Sequence, residues 1–599
     1  MTGHILKALS SREMERGPSA STDESRWQHW KLARGSDDIA WLSMDMKDSS
    51  ANTVSTGLLT ELDEILGELE KQPPKGMVIR SVKPSGFCMG ADIREFSQLT
   101  SEDEVKQQLS RAHEVVSRLD RAAWPTVAVI HGHCLGGGLE IALCCDYRIA
   151  VPGAKLGFPE VKLGLHPGLG GTARLTRLID PLEAMTLMLT GKTVPHGKAA
   201  RLGIVDQVVE ERHVAAAVSA AVAGEIDPSG HGLRGRVLST RPARQLETRQ
   251  MRSKAADKAP PEHYPAPEAL IRLWEKHGGD DDAMLRAEVD SFAHLLMTDT
   301  SRNLVRVFFL QEQMKGLTKT GAEAISHVHV VGAGEMGADI AGWCAMQGLS
   351  VSLFDMEPEK IATAVGKLTE LCARKYKSGA EQRETLDRLF PDFGNHGLAH
   401  ADLVLEAVPE KVEIKQKVYE QAEAQMKEDA ILATNTSSIP LETLREKLDR
   451  PERLVGLHFF NPVAMMPLVE VVRHDQVRNE VVQRALAFTG QIDRLPAPVT
   501  TAPGFLVNRV LTPYLVEAMI MLDEGIAAET IDAEAEKFGM PMGPIELADQ
   551  VGLDICLSVA EMLRDRLDTP MPPPPKWLEE KVENGDLGKK SGQGLYSWK

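Results

Sequence analysis

The sequence predicts a multidomain α/β protein with an all-helical last part, and three observations lead to this class. Short apolar, strand-like runs alternate with amphipathic helical patterns from Ile39 to about Gly224. The run HVHVVGAG, which begins at His327, starts a second alternating region that continues to about Pro498. After Thr501 the apolar spacing is mostly helical. We therefore expect two α/β domains followed by a helical one.

The length of the chain agrees with several domains. Its 599 residues, 43% hydrophobic and 26% charged, are ordinary for soluble globular proteins and long enough for several cores. Arg-, Ser-, Pro- and Gly-rich sequence after the first α/β region predicts a solvated connection over 226–262, followed by helical spacing. We predict a disordered tail over 1–26, an α/β domain over 27–225, linker and bracing helices over 226–322, a second α/β domain over 323–500 and a helical domain over 501–599.

Charge and cysteine content restrict the partners and the compartment. A net charge of −18 argues against a nucleic-acid partner held by general electrostatics. No apolar run in the sequence is long enough to span a bilayer, and the N-terminus lacks a signal-peptide core. The seven cysteines form no CxxC pair and no cluster with metal-ligand spacing. We expect buried thiols, no metal site, no nucleic acid, no membrane span and a cytoplasmic location.

A glycine-rich turn in the second α/β region predicts a dinucleotide site. The turn runs from Gly332 to Gly337 as GAGEMG, after the strand HVHVV and before an apolar helix. Glycines allow a tight turn and close approach of the backbone to a pyrophosphate, which the helix N-terminus attracts. A second strand ends at Asp355, about 20 residues further on, where an acid binds ribose hydroxyls and repels a 2′-phosphate. We predict NAD, rather than NADP, contacting Gly332, Gly334, Met336, Gly337 and Asp355.

A histidine and a glutamate flank one turn later in the same region. His458 and Glu470 lie in apolar, strand-like runs on either side of the Asn461–Pro462 turn in GLHFFNPVAMMPLVE. A carboxylate beside an imidazole fixes its tautomer and raises its basicity, which suits a general base for an alcohol proton. Such a pair is more often structural than catalytic, but the dinucleotide motif in the same region favours the catalytic interpretation.

From about Ile325 to Lys599 the sequence resembles the 3-hydroxyacyl-CoA dehydrogenase family. The motifs that carry the resemblance are GAGEMG, LEAVPEKVEIK, NTSSI, GLHFFNPV, LVEVV, APGFLVNR and PMGPIELAD. The resemblance implies a Rossmann NAD-binding domain with an all-α C-terminal domain, His458 as the base and Glu470 as its orienting carboxylate. It implies substrate contacts from Ser437 and Asn508. It also implies NAD contacts from Val408, Glu410, Lys415, Ser437 and Asn461.

The first α/β region contains a second candidate site. Three glycines in His133–Glu140 (HCLGGGLE) precede a helix and expose backbone amides at its positive end. An amide from the earlier turn GFCMGADI would complete an oxyanion hole. Glu140 lies in the first helical turn, and Glu160 follows the next strand and could return to the same pocket. Two carboxylates can divide general base and general acid work on one water.

From about Ile39 to Val222 this region resembles the enoyl-CoA hydratase, or crotonase, family. The supporting motifs are GADI, LGGGLE, FPEVKLGLHPGLGGTARL, LTGKTV and ARLGIVDQVV. The resemblance implies a crotonase-like spiral ββα fold and acyl-CoA thioester substrates. It also implies that the amides of Ala91 and Gly137 polarise the thioester carbonyl while Glu140 and Glu160 add water across the 2,3 double bond.

The two resemblances fit together, because the hydratase product is the dehydrogenase substrate. The whole chain resembles the fused enzymes that form the α subunits of fatty-acid oxidation complexes. This implies NAD as cofactor, coenzyme A as part of the substrate and a separate thiolase β subunit. Such proteins usually carry a second copy of the helical C-terminal domain, whereas this sequence ends after one copy. We therefore expect a homo-oligomer or hetero-oligomer formed through residues 501–599.

Two alternatives remain open on the sequence. In one, the crotonase half of a 3-hydroxyacyl-CoA dehydrogenase acts mainly as an enoyl-CoA isomerase or is inactive. Filled positions Glu140 and Glu160 argue against an inactive half, but both residues could also shuttle a proton between carbons. In the other, the chain is a scaffold that binds acyl-CoA and partners, which the intact catalytic positions disfavour.

Overall fold

The computed structural model describes residues 26–227, 230, 238, 240–567 and 570–598. It divides into two compact units, Met1–Phe308 and Phe309–Lys599. The predicted disordered tail lies outside the described residues except for Arg26. None of the helices in these described ranges is long and apolar enough to cross a membrane.

Two sheets form the framework of the first unit. Its described strands are β1 Trp30–Arg34, β2 Ile39–Met44, β3 Gly76–Ser81, β4 Gly86–Cys88, β5 Thr126–Ile130, β6 His133–Leu135, β7 Tyr147–Ala150, β8 Lys155–Gly157, β9 Thr193–Pro195 and β10 Gln207–Val208. One sheet has the order β1-β2-β3-β5-β7-β10 and the other β4-β6-β8-β9. Neighbouring strands are parallel except in the pairs β1–β2 and β8–β9. This repeating arrangement is the crotonase-like fold that the sequence predicts.

Helices cover these sheets and continue into the connecting segment. They are α1 Thr56–Lys71, α2 Ile93–Phe96, α3 Glu102–Asp120, α4 Gly137–Leu143, α5 Gly171–Leu178, α6 Pro181–Thr190, α7 His196–Leu202, α8 Val214–Val222, α9 Arg241–Ala256, α10 Pro265–His277, α11 Asp281–Leu296 and α12 Asp299–Gly316. All five residues of β5 are buried, as expected for a parallel strand covered on both faces. Helix α1 begins where the Ser55 side chain accepts a hydrogen bond from the amide of Leu58.

Part of the connecting segment differs from the prediction of a solvated stretch over 226–262. Residues Arg241–Ala256 form a helix, α9, in which Arg244 and Thr248 are buried. Arg252 pairs with Glu268 and Glu275 of α10. The many arginines suggested an exposed loop, but their aliphatic stems can pack while their guanidinium groups find partners. The connecting helices through Phe308 therefore belong to the first compact unit.

The second unit is built on one eight-stranded sheet. Its strands are β11 His327–Val331, β12 Ser350–Phe354, β13 Leu389–Pro391, β14 Leu403–Glu406, β15 Ile431–Thr434, β16 Leu454–Phe459, β17 Leu468–Arg473 and β18 Leu495–Thr500. The sheet order is β13-β12-β11-β14-β15-β16-β17-β18. The first six strands are parallel in the doubly wound order of a Rossmann domain. Its order reverses beside β11, so the predicted dinucleotide turn lies at the switch point.

The helices of the second unit complete the Rossmann domain and form the C-terminal region. They are α13 Glu335–Met346, α14 Pro358–Lys375, α15 Gly379–Leu386, α16 Val412–Glu423, α17 Leu441–Arg445, α18 Asn479–Gln491, α19 Val507–Asp523, α20 Ala528–Phe538, α21 Pro544–Val551, α22 Leu553–Arg566 and α23 Lys576–Glu583. The buried carboxylate of Asp549 accepts hydrogen bonds from the backbone amides of Leu595 and Tyr596. These bonds fasten the final turns to the helical region.

Candidate active sites

Glu140 is fixed in the first turn of α4. The preceding Gly136 has φ 48°, a left-handed conformation that glycine adopts without strain and that turns the chain into the helix. One oxygen of Glu140 accepts hydrogen bonds from the amides of Leu169 and Gly171, each 2.7 Å away. Burial raises the pKa of Glu140 to about 7, with a contribution from the charge of Glu288. A carboxyl group with this pKa can exchange protons near neutral pH.

Glu160 returns to the same place, as the sequence predicts. It begins a 3₁₀ turn, Glu160–Leu163, after β8. Its Oε1 lies beside the backbone of Gly136, because a Cβ added to that glycine would be 2.7 Å away. Its Oε2 is buried and has no hydrogen-bond partner among the described residues. Burial and the neighbouring charge of Glu140 raise the pKa of Glu160 well above its usual value.

The two predicted oxyanion-hole residues lie next to each other. A Cβ added to Gly137 would lie 3.6 Å from the amide nitrogen of Ala91. Gly137 is the first residue of α4, so its amide has no partner within the helix. The bridge that pairs Val54 with Ala91 uses the amides of Val54 and Asp92. The amide of Ala91 is outside this pairing, so both amides can donate to an oxygen that gains charge.

In the second unit, His458 and Glu470 form a hydrogen-bonded pair. They are direct partners across the antiparallel strands β16 and β17. Both are buried, and His458 Nδ1 lies 2.6 Å from Glu470 Oε2. The other oxygen of Glu470 accepts hydrogen bonds from the amides of Leu506 and Val507 at the beginning of α19. Because Nδ1 is committed to the carboxylate, Nε2 is the nitrogen that can accept a substrate proton.

Asn508 and Ser437, the predicted substrate contacts, are brought together. The amide of Asn508, in the first turn of α19, donates a 3.1 Å hydrogen bond to the backbone carbonyl of Ser437. Ser437 is in the loop after β15, and its hydroxyl is 3.4 Å from Glu410. The rings of Phe460 and Phe505 lie 4.6 and 6.0 Å from the imidazole of His458. The imidazole of His458 is therefore bordered by two aromatic rings.

Glu410 and Lys415 belong to an ionic network in which Lys415 is buried and Glu410 is partly exposed. Lys415 Nζ lies 2.8 Å from Glu406 Oε1 and 3.1 Å from Glu410 Oε2. Lys415 is 1% exposed, which requires such pairing. Burial opposes the ionisation of Glu410, but Lys415 and hydrogen bonds from Thr436 and Ser437 lower its pKa. Lys415 thus holds Glu410, which in turn accepts hydrogen bonds from the amides of Ser437 and Ser438.

The glycine-rich turn fits the group that the sequence predicts. Gly332 has φ 104°, and a Cβ there would lie 2.6 Å from the carbonyl oxygen of Ala407. A Cβ on Gly337 would lie 1.8 Å from the carbonyl oxygen of Gly332. A Cβ on Gly334, however, would meet no atom of the described residues within 4 Å. Two glycines therefore close the turn, and the third leaves open space beside the N-terminus of α13 for a pyrophosphate.

The remaining predicted cofactor contacts surround this turn. Asp355 follows β12, and its two oxygens accept hydrogen bonds from the amides of Ala333 and Glu357. The side-chain amide of Asn461 donates to Glu335, the first residue of α13, at 2.7 Å. Met336 and Val408 are both half-buried, Met336 in the first turn of α13 and Val408 in the loop after β14. The predicted residues thus lie along the carboxyl ends of adjacent parallel strands.

Sequence reasoning missed Glu406, the centre of the ionic network. Its buried carboxylate accepts hydrogen bonds from Lys415, Tyr419 and Thr434. The sequence contained one sign of this network, a glutamate at the end of the apolar strand LVLE. A buried carboxylate in such a strand needs hydrogen-bond or ionic partners. One partner of Glu406 is Lys415, which also pairs with Glu410.

Three family models match successive parts of the chain. The model for enoyl-CoA hydratase/isomerase matches residues 37–227. Those for the NAD binding domain and the C-terminal domain of 3-hydroxyacyl-CoA dehydrogenase match residues 327–502 and 504–598.

Similar proteins cover nearly the whole chain. The fatty acid oxidation complex subunit alpha of Psychrobacter arcticus is 36% identical over 94% of this chain and 80% of that protein. The protein of the same name from Vibrio parahaemolyticus is 35% identical over 94% of this chain and 82% of its own length. Among solved structures, the (S)-3-hydroxybutyryl-CoA dehydrogenase of Ralstonia eutropha is 35% identical with a TM-score of 0.44, covering 46% of this chain and all of that chain.

Proposed function

Because the chain belongs to the family of fatty acid oxidation complex alpha subunits, we propose that its two sets of buried catalytic groups act in turn on one acyl-CoA thioester. The chain joins an enoyl-CoA hydratase to an NAD-dependent 3-hydroxyacyl-CoA dehydrogenase. It hydrates 2-enoyl-CoA to 3-hydroxyacyl-CoA and oxidises this product to 3-ketoacyl-CoA. The observation that carries the assignment of residues is the presence of a complete acid–base set in each unit.

For hydration, we assign complementary roles to the two glutamates of the first unit. The amides of Ala91 and Gly137 bind the thioester oxygen and stabilise the enolate charge. Glu140, whose pKa of about 7 allows the ionised form, takes a proton from water as the oxygen adds to C3. Glu160, whose pKa is raised by burial and by the charge of Glu140, supplies the proton that C2 gains. The product carries a hydroxyl on C3 and one more hydrogen on C2.

For oxidation, His458 takes the proton of the 3-hydroxyl. Glu470 holds the imidazole through Nδ1 and stabilises the imidazolium that forms. Ser437 and Asn508, which are hydrogen-bonded to each other, orient the substrate oxygens. When bound, NAD would supply the hydride-acceptor chemistry that this oxidation needs. Its holding residues would be Gly332, Gly334, Met336, Gly337, Asp355, Val408, Glu410, Lys415, Ser437 and Asn461, with Lys415 acting through Glu410.

A coupled assay tests this function directly. The purified chain is given crotonyl-CoA and NAD, and NADH absorbance is followed. We expect NADH to form from crotonyl-CoA without any added hydratase. If NADH forms only from 3-hydroxybutyryl-CoA, the first unit is not a hydratase. In that case, conversion of a 3-enoyl-CoA to its 2-enoyl isomer would identify the isomerase alternative.

Asp355 carries the predicted preference for NAD. Replacing Asp355 by alanine removes the acceptor for the ribose hydroxyls and the repulsion of a 2′-phosphate. We expect the KM for NAD to rise by roughly tenfold and the preference for NAD over NADP to fall by a similar factor, about 1.4 kcal/mol each. Steady-state kinetics with 3-hydroxybutyryl-CoA and each nucleotide measures both quantities. Unchanged values would show that another residue selects the nucleotide.

We propose that residues 501–599 contact a second copy of the chain or a partner subunit. Support comes from exposed apolar side chains in this region: Val510 is 70% exposed, Phe538 83% and Ile555 46%. A thiolase that cleaves the 3-ketoacyl-CoA product is the partner we propose, because the similar proteins are named as subunits of a complex. Sedimentation of the purified chain tests both cases together, since a fully active monomer without a partner would contradict each of them. We also propose a cytoplasmic location, with which the seven buried, free thiols are compatible.

We further propose the domain limits 27–225, 226–322, 323–500 and 501–599. The strand β1 begins at Trp30, and α8 ends at Val222. The strand β11 begins at His327, β18 ends at Thr500, and α19 begins at Val507. Each proposed limit therefore lies between regular elements.

A further inference from the structure

Four residues at the beginning of α5, 169–172, lie between two buried carboxylates. The amides of Leu169 and Gly171 donate to Oε1 of Glu140, each at 2.7 Å. The amides that alternate with them, of Gly170 and Thr172, donate to Glu288 at 2.6 and 3.3 Å. The Thr172 hydroxyl also donates to Glu288. Residues 169–172, which we call the shared segment, therefore tie Glu288 to Glu140 through successive amides.

Glu288 comes from the connecting helices rather than from the first α/β domain. It lies in α11, Asp281–Leu296, and its side chain is 0% exposed. On the side of α3, His113 Nε2 is 3.4 Å from Glu288 Oε1 and 3.0 Å from the carbonyl oxygen of Gly168. A buried carboxylate with this many donors is fully partnered, so its geometry is strongly restricted.

Other contacts of α11 fix the residues just before the shared segment. The Ser291 hydroxyl is 2.8 Å from His166 Nε2, and His166 Nδ1 is 2.7 Å from the Pro167 carbonyl oxygen. The ring of Phe292 packs against Gly168, where an added Cβ would lie 2.5 Å from it. The residues just before the shared segment are therefore held by contacts with one helix, α11, which lies outside the first α/β domain.

The charged and titratable groups around Glu288 come from several elements. They are His113 on α3, Glu140 on α4, Glu160 and His166 in the loops, and Arg174 on α5. Burial opposes ionisation of Glu288, but its hydrogen bond and ion pair with His113 lower its pKa. Burial likewise opposes protonation of His113, but Glu288 raises its pKa. Each member of the pair therefore favours the charged form of the other.

We propose that Glu288 is a positioning residue for hydration, which holds the shared segment so that its amides fix one oxygen of Glu140 and leave the other for water. This inference rests on the proposed role of Glu140. Glu288 is not a catalytic residue, because the shared segment separates it from Glu140. The hydratase site is then composite, since α11 supplies a group without which Glu140 is poorly oriented. Misplacement by about 1 Å is enough to cost on the order of 100-fold in rate.

The test variant is Glu288→Gln. Both carboxylate oxygens of Glu288 accept hydrogen bonds. In a glutamine, an NH₂ group replaces one of these oxygens, and this group would face N–H or O–H donors from which it cannot accept. We expect kcat for crotonyl-CoA hydration, followed by loss of enoyl absorbance, to fall by about 10- to 100-fold. The KM for crotonyl-CoA is expected to stay within about threefold, because Glu288 does not contact substrate.

Three further variants accompany it. Asp290→Asn removes an exposed carboxylate from the same helix, where Asp290 pairs with Lys106, and is expected to hydrate like the parent. Glu288→Asp keeps both acceptor oxygens but withdraws them by one methylene, so it is also expected to lose hydration activity; it provides the test if the glutamine variant does not fold. The double variant Glu140→Gln/Glu288→Gln is expected to be no slower than Glu140→Gln alone, because Glu288 acts through Glu140.

The outcomes separate this inference from the proposed function. Hydration by Glu288→Gln within twofold of the parent, a change in KM alone, or multiplied losses in the double variant would each overturn the positioning role. Parent-like hydration by a folded Glu288→Asp variant would overturn it as well. If Glu140→Gln itself hydrates like the parent, the proposed role of Glu140 fails; if Glu140→Gln is impaired and Glu288→Gln is not, this inference alone fails.

Discussion

Glu140→Gln is expected to lower the rate of crotonyl-CoA hydration by about 10²- to 10⁴-fold. Glutamine has nearly the same shape but cannot take a proton from water. Its amide group would also place a donor opposite either the Leu169 and Gly171 amides or the water. NADH formation from crotonyl-CoA should fall by the same factor, because hydration comes first in the sequence of reactions.

The same variant contains its own control. We propose that oxidation of 3-hydroxybutyryl-CoA by NAD depends on His458 and Glu470 in the second compact unit, so it should stay within about twofold of the parent. A loss of both activities would indicate a structural role for Glu140 rather than a catalytic one. Parent-like hydration would show that Glu160 alone, or another group, handles the proton.

His458→Ala is expected to reduce NADH formation from 3-hydroxybutyryl-CoA by about 10²- to 10⁴-fold, because alanine cannot take the proton of the 3-hydroxyl. It also leaves the buried carboxylate of Glu470 without its 2.6 Å partner, although two backbone amides still donate to it. Hydration of crotonyl-CoA should be unchanged. Spectrophotometric assays at the enoyl and NADH wavelengths measure the two steps separately.

A matched variant at Glu470 separates proton transfer by His458 from the orientation of its imidazole. Glu470→Gln keeps a hydrogen-bond acceptor for His458 Nδ1 but removes the charge that stabilises the imidazolium. We expect it to retain more dehydrogenase activity than His458→Ala. Equal rates for His458→Ala and the parent would exclude His458 as the base.

The elements that carry local signals could be predicted from the sequence. The turn at Gly332 combines a strand, glycines at fixed spacing and a helix, so its dinucleotide role can be predicted from local spacing. Glu140 follows a glycine run that must expose amides, and Glu160 follows the next strand. His458 and Glu470 face each other because a turn between two apolar runs sets their antiparallel register.

The partners of these residues could not be predicted in the same way. Glu288 meets the shared segment across more than 100 positions of sequence, and no local pattern encodes such a contact. Lys415 was predicted only as a cofactor contact, whereas the structure buries its ammonium group between Glu406 and Glu410. The helix Arg241–Ala256 was missed because its contacts with α10, such as the pairs of Arg252 with Glu268 and Glu275, cannot be seen in its own arginine-rich composition.

The central claim is that one chain contains two independent active sites linked by a shared intermediate. The most direct measurement mixes equal amounts of Glu140→Gln and His458→Ala with crotonyl-CoA and NAD. Each variant by itself should form almost no NADH, whereas the mixture should form it readily, because 3-hydroxybutyryl-CoA released by one variant is oxidised by the other. A mixture as inactive as its components, although each retains its remaining activity, would contradict the account.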